Sequence, residues 1–232
     1  MTLCIIPARG GSKRIPRKNI RCFCGKPMIS WSIKAALLAK CFNQVVVTTD
    51  DEEIAAFAKR AGAEVPFLRD HDLSGDFVAT KPVIADAIKR LTCASDTPVC
   101  CLYATAPFVM PNILQDTYDR FVNERPTYLM AITSFAYPIQ RALSMAEDGS
   151  VKMADPQKIL TRSQDLEEMW HDAGQFYWAT AATWLDENAQ ILGAGTIGHP
   201  LPRYRVQDID THDDWVRAEA MKKVLDLTSK LD

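Results

Sequence analysis

The sequence predicts an α/β fold built on a mostly parallel, doubly wound sheet, and three features carry that expectation. Short apolar, β-branched tracts alternate with amphipathic helical stretches through the first 135 residues. The tracts are near-continuous hydrophobic runs, as expected of strands buried on both faces. The first of them leads into a glycine loop rich in cations, at the carboxyl end of a strand, where such sheets bind ligands.

Leu3-Cys4-Ile5-Ile6 suits the first strand, and residues 5–19 carry the loop that follows. Gly10 and Gly11 lack a Cβ, so their N–H groups can approach a ligand and the backbone can take φ > 0. Arg9, Lys13, Arg14, Arg17 and Lys18 supply five cations, and Pro16 keeps the stretch from being a basic helix. Backbone donors and fixed cations both favour anionic oxygens, which describes a polyphosphate cradle. A nucleic-acid or targeting patch and a plain tight turn compete with that reading. Neither the P-loop nor the dinucleotide fingerprint is present.

Residues 27–39 place Ile29, Ile33, Ala36 and Leu37 at helical spacing, and 45–48 form a second strand closed by Thr49-Asp50. Residues 52–61 read as an amphipathic helix ending at Gly62. A short third strand is expected over 63–68 with an edge-tolerated Pro66, then a polar loop over 69–76. A helix over 80–91 follows, with Pro82 in its first turn. Residues 99–103 suit a central strand with loop 104–108 at its carboxyl end, 111–122 a helix and 128–135 a strand. From 136 to 169 the alternation breaks into hairpin and turn material, which marks an arm or a lid. Residues 176–179 are strand-like again, 202–210 suit a last strand and 211–227 a closing helix. Thr211 and Asp214 make a capping-box-like start to that helix, and Asp213 favours its positive end. The expectation is one domain over 1–232 with 136–169 as an excursion.

A chain of 232 residues with 47% apolar and 24% charged content fits one large globular domain. No apolar run is long enough to cross a bilayer and the sequence starts directly on a strand pattern, so a cytoplasmic protein is expected. The net charge of −2 conceals an asymmetry: nine of the 27 bases precede Asp50, the first acidic residue, leaving 18 bases against 29 acids. A basic end on an acidic body suits one anionic ligand better than a nucleic acid. Of the seven cysteines, Cys4, Cys100 and Cys101 read as small core residues, Cys22 and Cys24 lie near the loop, and no Cys-x-x-Cys suggests zinc.

Asp208 and Asp210 stand two apart, so on the expected strand they share a face and can share a hard cation; turn and cap material is the plainer reading. The cation loop tips the balance, because a phosphate cradle with a carboxylate pair is what metal-assisted nucleotidyl transfer needs. Arg162-Ser163-Gln164-Asp165 and His171 to Trp178 form a second dense cluster. Arg162 suits a sugar carboxylate and His171 suits acid/base or hydrogen-bonding work, while the aromatics equally suit core at strand spacing.

The run from Ile6 to Asn19 resembles the CTP-binding signature of the cytidylyltransferases that activate nonulosonic, sialic-acid-like sugars, the CMP-N-acetylneuraminate synthetase family. The likeness covers nearly the whole chain. Arg69 and Thr80 are similar to an Arg and Ser/Thr pair that contacts the nucleotide in that family. Tyr103 stands in place of a usual glutamine. Arg162-Ser163-Gln164-Asp165 resembles the Arg-x-Gln-Asp of the sugar pocket, and Asp208-Ile209-Asp210 a metal-binding Asp-Ile-Asp. The segments 137–141 and 171–178 are similar to the branch that acts on pseudaminic acid.

This resemblance implies a three-layer sheet of nucleotide-diphosphate-sugar transferase type with a small protruding dimerisation arm, and a homodimer. It implies Mg²⁺ on Asp208 and Asp210, with Lys13 and Lys18 also catalytic. Ala8, Arg9, Gly10, Gly11, Ser12, Asn19, Arg69 and Thr80 would bind the nucleotide. Tyr103, Arg141, Arg162, Gln164, His171, Gln175, Phe176 and Tyr177 would bind the sugar, with Phe176, Tyr177 and Trp178 offering apolar contact to its methyl groups. The substrates implied are CTP and an acidic nine-carbon sugar, with N-acetylneuraminate, legionaminate and 3-deoxy-octulosonate as alternatives to pseudaminic acid. Neither nucleic acid nor membrane is an expected partner, and a non-catalytic nucleotide or nucleic-acid binder is the distant alternative.

Overall fold

The computed structural model describes residues 1–228, so the last four positions of the expected domain lie outside the described residues. The strands in chain order are β1 (Leu3–Pro7), β2 (Cys22–Phe23), β3 (Lys26–Pro27), β4 (Gln44–Thr48), β5 (Pro98–Leu102), β6 (Tyr128–Ser134), β7 (Leu143–Met145), β8 (Val151–Met153), β9 (Trp170–Thr180) and β10 (Thr196–Pro200). The helices are α1 (Met28–Ala39), α2 (Glu52–Arg60), α3 (Thr80–Leu91), α4 (Pro111–Glu124), α5 (Ala181–Leu185) and α6 (His212–Thr228). Six strands form the main sheet in the order β10-β6-β9-β5-β1-β4. Strand β1 pairs parallel with β4 and β5, and β10 with β6, while β9 runs antiparallel between β5 and β6. The sheet is therefore mostly parallel.

Helices cover both faces. Ile29 and Ile33 of α1, Ile54 and Ala58 of α2, and Leu114 and Phe121 of α4 pack on one side around Trp178 and Phe176. Ile84 and Ile88 of α3 and Trp184 of α5 pack on the other, against Ile5, Tyr128 and Tyr177. A third cluster joins Ile15, Phe23 and Met28 to Ile209 and to Trp215 of α6, tying the carboxyl-terminal helix to the loop after β1. Cys4, Cys100 and Cys101 are buried, Cys22 is exposed and Cys24 half-buried. No helix among the described residues is long and apolar enough to cross a membrane.

The helices follow their sequence signals: α3 spans Thr80–Leu91, and α6 starts with Thr211 and Asp214 exchanging bonds, Thr211 N–H to Asp214 Oδ2 at 2.8 Å and Asp214 N–H to Thr211 Oγ1 at 3.2 Å. Two expected strands need correction. Segment 63–68 makes only isolated bridges, Glu64 to Val46 and Leu68 to Thr49, because Pro66 between them has no N–H to donate. Segment 202–210 is not a strand. The last strand is β10, an edge, and after it Arg205 N–H closes on Pro202 O at 2.8 Å and turns the chain off the sheet. Ile209 is buried against Trp215 and Ala218 of α6. Segment 136–169 does leave the sheet and carries the β7–β8 hairpin.

Candidate active site

The parallel strands β1, β4 and β5 end at one edge, with Pro7 beside Thr48, so the loops after them gather there. The loop after β1 is held by its own sequence. Ile15 is 2% exposed and anchors in the α6 cluster. Arg17, just after Pro16, takes φ 57° and reverses the chain, and Asn19 Nδ2 donates to Arg9 O at 2.9 Å, closing the loop on itself.

Gly10 and Gly11 serve this loop differently from expectation, since neither is among the residues with positive φ. A Cβ on Gly10 would lie 2.6 Å from Asp51 Oδ2, so glycine there permits close approach of the turn after β4. The Gly10 N–H already donates to Asp50 Oδ1 at 3.0 Å.

Every cation of the loop meets a carboxylate. Arg9 and Lys13 share Asp76 at 2.8 and 2.5 Å. Arg14 and Lys18 share Asp210 at 2.8 and 3.2 Å, and Lys18 Nζ also donates to Ile209 O at 2.6 Å. Arg17 pairs with Asp51 and Glu53. Beneath them Arg69, 5% exposed, donates to Thr48 O at 3.2 Å and Ser74 Oγ at 3.1 Å beside Asp50 at 3.5 Å; burial pushes its guanidinium pKa down. These groups surround a cleft of about 230 Å³ lined by Ala8, Arg9, Ser12, Lys13, Arg14, Lys18, Asn19, Arg69, Thr80, Tyr103 and Asp210, among others. The basic amino end and an acid from near the carboxyl end thus meet in one place. Pairing with Asp76, on an exposed loop, occupies the cations a triphosphate would need, and Lys13 holds the Asp76 carboxyl below its usual range. Asp76→Asn should therefore lower the KM for a triphosphate substrate, such as the CTP that the sequence resemblance implies, about two- to fivefold, the range that exposed ion pairs are worth. A raised KM in steady-state assays would mean that Asp76 orders the cations instead of competing for them.

Asp51 caps α2, accepting Ile54 N–H at 2.9 Å, and Arg17 holds its carboxyl below the ordinary range. A depressed carboxylate stabilises the fold at pH above its unfolded value and loses that contribution as pH falls through its folded value. Asp51→Ala should cost about 1–2 kcal/mol at pH 7, and the gap from the parent should narrow as pH drops below about 4. Urea unfolding at both pH values reads this; a gap independent of pH would reject the ionic contribution.

At the other end of the cleft Thr80 Oγ1 lies 2.8 Å from Tyr103 Oη, and burial pushes the Tyr103 phenol up to about 12. Asp208 and Asp210 flank the buried Ile209 in the loop before α6, not on a strand, so the shared-face geometry does not hold. Asp210 lines the cleft and Asp208 does not. The protein packed around Asp208, and then the Asp210 charge, raise its carboxyl above the usual range, a strain that a cation between the two would relieve. The described residues contain no group of three or more His, Cys, Asp or Glu placed to hold a metal. Two carboxylates with phosphate and water oxygens fit a hard divalent cation, which rarely takes an all-protein cage.

The residues expected at the sugar are scattered. Phe176 and Trp178 are fully buried and Tyr177 is 3% exposed, so the apolar contact assigned to them is core packing. Gln175 is buried and donates to Arg205 O at 2.6 Å, beside a separate hollow with Phe108, Leu201 and Tyr204. His171 is exposed against Phe135, centroids 4.8 Å apart. Arg141 donates to Thr161 O at 2.6 Å, Arg162 pairs with Asp165 at 2.7 Å, and Gln164 is exposed; all three sit on the excursion, away from the cleft lining. Sequence reasoning missed Asp50, Asp51 and Asp76. Asp50 carried a signal as the first acid in the chain, at a strand's carboxyl end; Asp76 pairs across 67 positions and carried none.

A family model described as Cytidylyltransferase matches residues 3–227. The chain is 46% identical over 224 residues to a pseudaminic acid cytidylyltransferase of Campylobacter jejuni, covering 96% of each. It is 30% identical to the CMP-N,N'-diacetyllegionaminic acid synthase of Legionella pneumophila, again over 96% of each. Its fold is similar to that of a CMP:2-keto-3-deoxy-manno-octonic acid synthetase solved with CTP, with a TM-score of 0.69 at 15% identity over 96% of this chain and 99% of the other.

Proposed function

The chain belongs to the cytidylyltransferase family, and from that premise we propose that it joins CTP to pseudaminic acid, giving CMP-pseudaminic acid and pyrophosphate. The observation that carries the reaction is the cleft in which Lys13 and Lys18 meet Asp210. The choice of sugar follows the relative that is 46% identical.

Arg9, Lys13 and Lys18 neutralise the triphosphate, and the Ser12 hydroxyl with the amide of Gly11 donates to its oxygens, while Gly10, its own amide held by Asp50, lets the loop pass close to the turn after β4. Arg69, fixed by Thr48 O and Ser74, and Thr80 hold the cytidine. Asp208 and Asp210 would hold Mg²⁺, which when bound would neutralise phosphate charge and lower the pKa of a hydroxyl beside it. The chain's own groups bring the anomeric hydroxyl in line with the α-phosphorus, and the leaving pyrophosphate stays among the loop cations. Arg141, Arg162, Gln164 and His171 remain the groups assigned to the acid sugar. The arm exposes Tyr137 at 83%, Met145 at 75% and Leu160 at 92%, which supports a homodimer formed through it; sedimentation velocity at micromolar concentration should show a dimer, and a monomer would reject it. The enzyme works in the cytoplasm, where nucleoside triphosphates are held.

Pyrophosphate release with CTP, Mg²⁺ and pseudaminic, legionaminic, N-acetylneuraminic or 3-deoxy-octulosonic acid tests the reaction and the sugar separately. Pseudaminic acid should give the highest kcat/KM. A higher value with another acid reassigns the sugar, and no release with any of them rejects the reaction.

A further inference from the structure

A hollow of about 300 Å³ lies beside the turn after β10 and shares no lining residue with the cleft. Phe108, Met110, Ile113, Leu201 and Tyr204 give it apolar walls. Gln175 and Arg205 interrupt them, and each brings a group that the protein itself leaves unused.

Gln175 reaches this side of the sheet because β9 bulges. On a regular strand it would share a face with Tyr177, which packs with α3. Between the pairs Met130–Tyr177 and Ile132–Asp172, however, β9 places residues 173–176 opposite the single residue Ala131 of β6. Gly174 turns the chain there at φ 60°, and the Gln175 side chain is re-aimed toward Ile113 of α4 and Leu201.

The Gln175 side chain is 4% exposed and fixed in direction. Its Nε2 donates to Arg205 O at 2.6 Å, so its Oε1 must point away from that carbonyl. Nothing among the described residues donates to Oε1. Unlike Thr48 Oγ1, that atom is not sealed inside the protein, so it opens on the hollow. A buried amide oxygen without a donor costs about 1–3 kcal/mol, which a ligand N–H would relieve.

Arg205 supplies the second group. Its guanidinium lies 5.7 Å from the Tyr204 ring centroid and pairs with no carboxylate among the described residues, in contrast to the cations of the cleft. It also borders a second hollow, lined by Lys34, Lys222 and Asp226, where two cations face one acid. The surroundings of Arg205 therefore favour an anion.

We infer that the hollow is a binding site, separate from the cleft, for a small carboxylic acid that carries an acylamino group. The N–H donates to Gln175 Oε1, the carboxylate meets Arg205, and the apolar body lies against Phe108, Ile113 and Leu201. Arg205 belongs to the segment that leads to Asp208 and Asp210, so the occupant braces that segment from outside the cleft.

Ligand-observed NMR, reading saturation transferred from the protein to N-acetylleucine, tests the site without turnover, so failure of the proposed reaction leaves the result intact. The acetyl and isobutyl methyl signals should titrate with a Kd of about 1 mM, as expected for a ligand of this size. Leucine, which lacks the acyl group, and N-acetylleucinamide, which lacks the acid, should each bind at least about tenfold more weakly. Ile113→Trp fills the hollow from α4 and should abolish the transfer. Arg205→Met keeps the carbonyl that holds Gln175 and should raise the Kd about tenfold; its side chain is half-buried on a turn, so it decides alone should Ile113→Trp not fold. Absence of transfer at millimolar probe, equal binding of the two controls, or a signal unchanged in either variant overturns the inference. Competition names the source: displacement by pseudaminic acid makes a free acid sugar the occupant, and no displacement makes it an N-acylated amino acid.

Discussion

Asp210→Ala should lower kcat about 10²- to 10³-fold, the usual cost of removing one preorganised electrostatic group at a reacting centre. The KM for CTP should stay level or fall. That split follows from what Asp210 touches. Its carboxylate sits between Arg14 at 2.8 Å and Lys18 at 3.2 Å, so its loss leaves two cations facing the cleft with nothing to offset them. Ground-state attraction for a triphosphate rises while the carboxylate proposed to complete a metal site is gone, and on that proposal only the second change acts on the transition state. The fold should survive. Asp210 contributes its backbone N–H to Asp214 Oδ2 at 3.2 Å, a bond that alanine keeps, and its side chain is 34% exposed. Turnover within tenfold of the parent at saturating CTP would remove Asp210 from the chemistry. A loss of kcat that extra Mg²⁺ restores would assign it to metal affinity.

The cleft was legible in the sequence to the extent that its groups are local. Five cations and two glycines within a short stretch after a buried strand announce an anion site, because nothing but the loop itself is needed to bring them together. Of its acidic partners, Asp210 was singled out beside the loop from the sequence, whereas Asp76, which reaches Lys13 and Arg9 only through the tertiary fold, was not. The two misread strands fail for different local reasons. Segment 63–68 is largely apolar, but Pro66 breaks its ladder; segment 202–210 carries only Tyr204, Val206 and Ile209 among charged residues, and the turn at Arg203–Arg205 takes it off the sheet. The aromatic run Phe176-Tyr177-Trp178 reads equally as core and as substrate surface, because composition does not tell an exposed aromatic from a buried one. Antiparallel insertion of β9 between β5 and β6 covers both its faces and settles the matter as packing.

Because β9 occupies that position, Trp178→Ala should be among the most destabilising single changes, at about 3–5 kcal/mol. Trp178 is fully buried opposite Cys100 and Leu129. Phe42 stacks on it at 5.3 Å and 8°, Phe121 at 6.1 Å and 23°, and Tyr118 tilts against it at 5.6 Å. Its Nε1–H donates to Thr117 Oγ1 at 3.1 Å, but the Thr117 proton goes to Ile113 O at 2.7 Å, so alanine orphans no donor and the cost is the cavity and the lost ring contacts. Against a typical total stability of about 5–15 kcal/mol, that loss leaves the variant marginal. Urea unfolding should show a lower midpoint with an unchanged slope, since the same surface is exposed on unfolding. The ring packs with residues of α1 and α4 and is not part of the cleft lining, so folded Trp178→Ala at low temperature should keep the parent's KM for CTP. A destabilisation below about 1.5 kcal/mol would mean that Phe42, Tyr118 and Phe121 close over the cavity, as sites that can collapse do.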